Sequence, residues 1–215
     1  MQILLTADKM IKNIIFDFGG VLTTIDTSRA IEKFKALGLK DAENYLNSYK
    51  QTGIFFQLED GAIDADTFVT ELGKLCGREI SYGEALDAWM GFIVNVQVEF
   101  MEYLQTLRGK YRLGVLSNTN PFLQGWARSE KFTKEGKRLD DYFDELYLSY
   151  LMKCSKPGKE IYLKMLSDGN MLPHETLFVD DGAKNIEAAE AVGIRTLKAV
   201  NGKDWREELE KILNE

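Results

Sequence analysis

Four polar clusters, each placed after a short apolar run, carry the chemistry open to this chain. Asp17 follows residues 13–16 and precedes Gly19 and Gly20; Ser117 and Asn118 follow residues 112–116. Ser155, Lys156 and Pro157 come after residues 145–148, and Asp180 and Asp181 after residues 176–179. Asp17, Asp180 and Asp181 brought together would repel one another unless a cation sits among them. Oxygen ligands with room for water and phosphate suit Mg²⁺. A metal so held neutralises a phosphate and leaves one carboxylate free to attack phosphorus. Lys156 and the Ser117 hydroxyl would contact the other phosphate oxygens, and Gly19 and Gly20 let the backbone approach an anion with their N–H groups facing it.

These clusters act together only if the fold gathers them. The runs 13–16, 112–116, 145–148, 176–179 and 194–197 are short, apolar and bounded by turn residues, with helical patterns between them. That alternation predicts buried parallel strands in an α/β sheet. Ligands of open α/β sheets bind at the carboxyl ends of the strands, where Asp17, Ser117 and Asp180 would all lie. Helical patterns run from Asn185 to a stop at Gly193, over residues 158–166, and over residues 205–213, where Trp205, Leu209, Ile212 and Leu213 share a face.

Residues 26–95 read as successive helices without strand-like runs, too long for an ordinary crossover. Asp26 or Thr27 can cap one helix, Asp64 a second, and Ser81 with Glu84 forms a capping box before a third. This predicts a helical subdomain over 26–95, inserted into a core made of 10–25 and 96–215. The charged stretch 128–141 reads as a solvated loop or a frayed helix. Met10 is a second candidate start, which would make residues 1–9 an N-terminal extension.

Composition narrows the partners. Twenty-seven Lys and Arg against 34 Asp and Glu leave a net charge of −7, which disfavours nucleic acid and anionic membranes. No apolar run approaches the ~20 residues that span a bilayer. A single histidine, His174, excludes a multi-histidine metal site and reads as a solvated bystander. Cys76 and Cys154 have neither disulfide-framework nor metal spacing, as expected of reduced thiols in a cytoplasmic protein.

The segments IIFDFGGVL, LSNTN, SKPG and FVDDGAKNIEAAEAVGI, in that order over residues 14–194, resemble the haloacid dehalogenase superfamily. The insert resembles its C1-type helical cap. FFQLEDGAIDADTF and LSNTN are similar to a branch that includes α-D-glucose-1-phosphate phosphatases. The resemblance implies a Rossmann-like sheet of order 3-2-1-4-5 and Mg²⁺-dependent hydrolysis of a small phosphate monoester, plausibly a sugar phosphate, through an aspartyl-phosphate. Asp17 would be nucleophile and metal ligand. Ser117 and the Asn118 backbone would bind phosphate, and Lys156 would brace both. Asp181, Asp180 and the Gly19 backbone carbonyl would complete the metal site. Phosphatases of this superfamily commonly carry a second aspartate two residues after the nucleophile as general acid and base; here Gly19 stands there, with Asp26 and Glu59 as possible substitutes.

Plainer readings stand beside these. Asp17 could be a turn residue, Ser117 and Asn118 a helix cap, Lys156 a surface lysine and Asp180 a support for other ligands. In the insert, Phe56 and Glu59 are candidates for substrate choice, although paired aromatics such as Phe55 and Phe56 are more often core. Gly19 also leaves two other activities open, a catalytically weak phospholigand-binding protein and a metal-free 2-haloacid dehalogenase. The oligomeric state is not legible.

Overall fold

Each of the five apolar runs is too short for a stable helix and apolar enough to be covered on both sides. In the computed structural model, which describes residues 10–47 and 51–215, all five are strands of one parallel sheet. Residues 1–9, the candidate extension, lie outside the described residues. β1 (Asn13–Phe16) is followed by β2 (Thr23–Ile25) and the helices α1 (Thr27–Leu37), α2 (Ala42–Tyr45), α3 (Gly53–Glu59), α4 (Ala65–Cys76) and α5 (Tyr82–Trp89). β3 (Ile93–Val96) and α6 (Val98–Leu107) lead to β4 (Arg112–Ser117), α7 (Pro121–Ala127), β5 (Glu145–Leu148), α8 (Ser149–Met152) and α9 (Lys159–Asp168). Then come β6 (Thr176–Asp180), α10 (Ala183–Glu190), β7 (Arg195–Lys198) and α11 (Arg206–Leu213).

The sheet order is β5-β4-β1-β6-β7, the expected 3-2-1-4-5 counted along its own strands. β1 lies at its centre, with Phe16 level with Val115 and Val179. The alternation of side chains divides the core. Ile14, Phe16, Leu113, Val115, Leu177 and Val179 face α6 and Trp205, whereas Ile15, Leu116 and Phe178 face Ile161, Tyr162 and Met165 of α9. Because β1, β4 and β6 run parallel and in register, their carboxyl ends bring Asp17, Ser117 and Asp180 to one rim.

The helices after β2 have an apolar centre of their own. Phe34, Phe55, Phe68 and Trp89 are fully buried and meet ring to ring at 4.9–5.8 Å, joined from the core by Phe122 and Leu123 of α7. The caps fall as expected: Asp26 accepts from the Ser28 N–H, Asp64 from the Thr67 N–H, and Ser81 with Glu84 closes a full capping box. Among the described residues no helix is long and apolar enough to cross a membrane.

The stretch 26–95 is not free of strand. Ile93–Val96 pairs antiparallel with Thr23–Ile25, and the ribbon brings both ends of the helical layer back to the loop after Asp17. Its two runs are short, partly exposed and far apart in sequence, so no local alternation announces them. Residues 128–141 are also less solvated than expected. Phe132 is buried between Phe18 and Trp126, at 6.1 and 5.4 Å between ring centroids, so this loop supports the residue next to Asp17.

Candidate active site

Lys156 organises the rim. Its Nζ lies 2.9 Å from Asp17 Oδ1 and 2.7 Å from Asp180 Oδ2, with the lysine side chain only 1% exposed. Burial alone would depress the ammonium, but the two carboxylates outweigh it and hold Lys156 firmly charged. Asp180, fully buried, also accepts from the Gly182 N–H at 2.7 Å and from Asn185 Nδ2 at 2.9 Å. One oxygen therefore holds the start of α10 and the other holds Lys156.

Burial pushes the Asp17 carboxyl up to about 7; Lys156 opposes this, and Asp180 and Asp181 add repulsion. Asp181 is raised by the same burial and by Asp180. Ligand oxygens of Asp17, Asp180 and Asp181 lie within 4.8 Å of one another, so a divalent cation fits this donor set and would relieve the repulsion. Gly20 preserves the space. It has φ +80°, and a Cβ there would overlap the Asp181 carboxylate.

The backbone at Gly20 departs from the expected role. Its N–H donates to the Thr23 carbonyl at 2.8 Å and so does not face an anion. Gly19 remains in the cleft lining. Ser117 is buried at the end of β4. The Asn118 side chain is fully engaged: Nδ2 donates to the Lys156 carbonyl and Oδ1 accepts from the Lys156 N–H, both at 2.8 Å. This two-way clasp positions Lys156, while the Asn118 carbonyl accepts from Ser117 Oγ at 3.3 Å.

The rim opens into a cleft of about 730 Å³, within the size range of small-molecule sites. Asp17, Gly19, Ser117, Asn118, Lys156 and Asp181 line its floor. The helical layer supplies the other wall, which includes Glu59, Trp89, Phe92 and the amides of Asn47 and Gln51. Burial, with Asp17 nearby, pushes the Glu59 carboxyl up to about 8. Lys184 and Lys198 add cations at the mouth of an otherwise acidic protein.

Two of the expected substrate-side residues part company here. Glu59 lines the cleft; Phe56, half-buried on α3, does not, and the aromatics that do are Trp89 and Phe92, with Phe18 from the core side. The α3 sequence offered Phe55 and Phe56 equally, and helix phase alone decided that Phe55 enters the core. Asp26 is also placed outside the cleft lining. Its carboxylate is held below the usual range by the Ser28 hydroxyl and N–H, which suits a cap and not a proton donor.

Residues 11–193 match the haloacid dehalogenase-like hydrolase family. A D-ribitol-5-phosphate phosphatase of Bacteroides thetaiotaomicron is 50% identical over 95% of this chain and 100% of its own length. A HAD-like family hydrolase structure from Porphyromonas gingivalis superposes with a TM-score of 0.92 at 40% identity, covering 96% of this chain and 99% of that one. A HAD family enzyme of B. thetaiotaomicron, solved with magnesium and inorganic phosphate, gives 0.85 at 35% identity over 92% of this chain and 98% of its own.

Proposed function

Because this chain belongs to the haloacid dehalogenase-like hydrolase family, we propose that it is a Mg²⁺-dependent phosphatase acting on a small sugar or polyol phosphate. The observation that carries the reading is the Lys156 ammonium shared by Asp17 and Asp180, with Asp181 beside them on the floor of the cleft. The 50% identical D-ribitol-5-phosphate phosphatase and the magnesium-bound relative support the substrate class and the metal.

Asp17, Asp181 and the Gly19 carbonyl would hold Mg²⁺, with Asp180 beside them. The bound ion supplies charge neutralisation to the phosphate and to the crowded carboxylates. Lys156 and the Ser117 hydroxyl bind the phosphate oxygens, joined by the Asn118 backbone. Lys156 also aims the Asp17 oxygen and favours its ionised form against the burial that raises it. Asp17 attacks phosphorus, the alcohol departs, and water then hydrolyses the aspartyl-phosphate. Residues 26–95 act as a cap that closes over the sugar. The free thiols Cys76 and Cys154 and the choice of a soluble metabolite support a cytoplasmic setting.

The test is a substrate panel of ribitol 5-phosphate, glucose 6-phosphate and glucose 1-phosphate, each with Mg²⁺ and with EDTA. Phosphate release that requires Mg²⁺ and favours an open-chain polyol ester is the expected result. A preference for glucose 1-phosphate would shift the substrate to an anomeric ester. No release from any ester would overturn the reading.

A further inference from the structure

We infer that Glu59 is the proton donor to the departing ester oxygen and the proton acceptor in the hydrolysis that follows. The inference rests on the phosphatase reading above. The alcohol of a primary alkyl phosphate leaves as an alkoxide unless a proton reaches its oxygen, and Gly19 brings no acid to the core side of the cleft.

The other ionisable groups lining the cleft are engaged or unsuited. Lys156 is held charged between two carboxylates. Asp17 and Asp181 belong to the nucleophile and metal set, and Lys184 and Lys198 lie exposed at the mouth. Glu59 enters the cleft lining from α3, near enough to Asp17 for that charge to act on its carboxyl. In an in-line displacement the leaving oxygen lies on the side of phosphorus away from the attacking oxygen, so its proton must come from a group other than Asp17 and the ligands around it. Among the described residues the Glu59 carboxyl takes no hydrogen bond, so it has no structural partner that explains its burial. Burial, with the Asp17 charge nearby, shifts its carboxyl upward and so favours the proton-bearing form.

Its backbone, by contrast, is latched to the core. Ser149 Oγ donates to the Glu59 carbonyl at 2.5 Å, Ser155 Oγ donates to Asp60 Oδ1 at 3.1 Å, and Lys153 Nζ donates to the Gly61 carbonyl. Gly61 has φ +68°, and a Cβ there would overlap the Tyr150 carbonyl, so only glycine permits the approach. Three consecutive residues of the insert are thus fastened to the segment that ends in Lys156. The latch fixes Glu59 relative to the group that aims Asp17.

The proton balance closes over two steps. Asp17 attacks phosphorus, the bond from phosphorus to the ester oxygen breaks, and that oxygen takes the Glu59 proton; the products are aspartyl-phosphate, neutral alcohol and Glu59 carboxylate. Glu59 then takes a proton from water as the water oxygen attacks phosphorus. The bond to Asp17 breaks, phosphate leaves, and both side chains return to their starting states.

The experiment compares wild type and Glu59→Gln on ribitol 5-phosphate and p-nitrophenyl phosphate, with stopped-flow detection of the phenol and a thermal melt of each protein. Nitrophenolate needs no proton to leave, so Glu59→Gln should release one equivalent of it in a burst within about tenfold of the native rate and then stall, while ribitol 5-phosphate cleavage falls ~100-fold or more. Equal losses on both esters without a burst, or undiminished ribitol 5-phosphate cleavage, would overturn the role. Failure of the native protein on both esters would instead remove the phosphatase reading, and this inference with it.

Discussion

The rim of the sheet and the helical layer above it hold together by opposite means. At the rim, Lys156 and Asp180 are buried charges satisfied by each other, with Asp17 as a second partner of the lysine and the Gly182 N–H and Asn185 as further donors to Asp180. In the layer, Phe34, Phe55, Phe68 and Trp89 pack ring against ring with no charge among them. Removing one partner of a buried ion pair leaves an uncompensated charge. Trimming one ring leaves a void that its neighbours can partly fill. The contrast suggests that chemistry in this fold is held by electrostatics that tolerate little change, whereas substrate choice is held by packing that can be remodelled.

Lys156→Met breaks this contrast most severely. It strands Asp17 and Asp180 as adjacent carboxylates and should cost about 3–5 kcal/mol of stability together with nearly all turnover. Urea unfolding and p-nitrophenyl phosphate assays measure the two losses; a stable, active variant would refute the account of the rim.

Phe55→Ala should be similarly destabilising, about 3–5 kcal/mol, yet it acts on the other region. The folded fraction should still cleave p-nitrophenyl phosphate while ribitol 5-phosphate hydrolysis drops. Parallel losses on both esters would erase the proposed division of labour.

A smaller effect separates the metal set from the packing. Saturating Mg²⁺ at ~100 times its Kd should stabilise the native protein by about 2.7 kcal/mol, read as a rise in Tm by calorimetry. Asp181→Ala should abolish that rise, and Phe55→Ala should retain it.

Smallest is Ser81→Ala, which removes the capping box of α5 at a residue outside the cleft lining. It should lower stability by about 1 kcal/mol in a urea melt and leave every rate unchanged.

The same division governs what the sequence disclosed. Asp17, Ser117, Lys156, Asp180 and Asp181 each end or follow a buried run, so a local pattern sufficed to place them at one rim. The caps at Asp26, Asp64 and Ser81 were legible for the same reason, since each acts within one turn of its own helix. What escaped depends on contacts between distant segments. The β2–β3 ribbon, the Asn118 clasp on Lys156 and the latch from Ser149 to Glu59 join residues far apart in the chain. The choice of Trp89 and Phe92 over Phe56 as cleft aromatics turns on helix phase and tilt, which hydrophobicity does not encode when neighbouring residues are equally apolar.

The central claim, that Asp17 is the nucleophile of a metal-assisted phosphoryl transfer, is tested most directly by one comparison. Wild type and Asp17→Asn, each confirmed folded by circular dichroism, are assayed for Mg²⁺-stimulated release of phosphate from p-nitrophenyl phosphate. Turnover by wild type with Asp17→Asn at the uncatalysed background is the predicted result. Equal rates in the two proteins would contradict it.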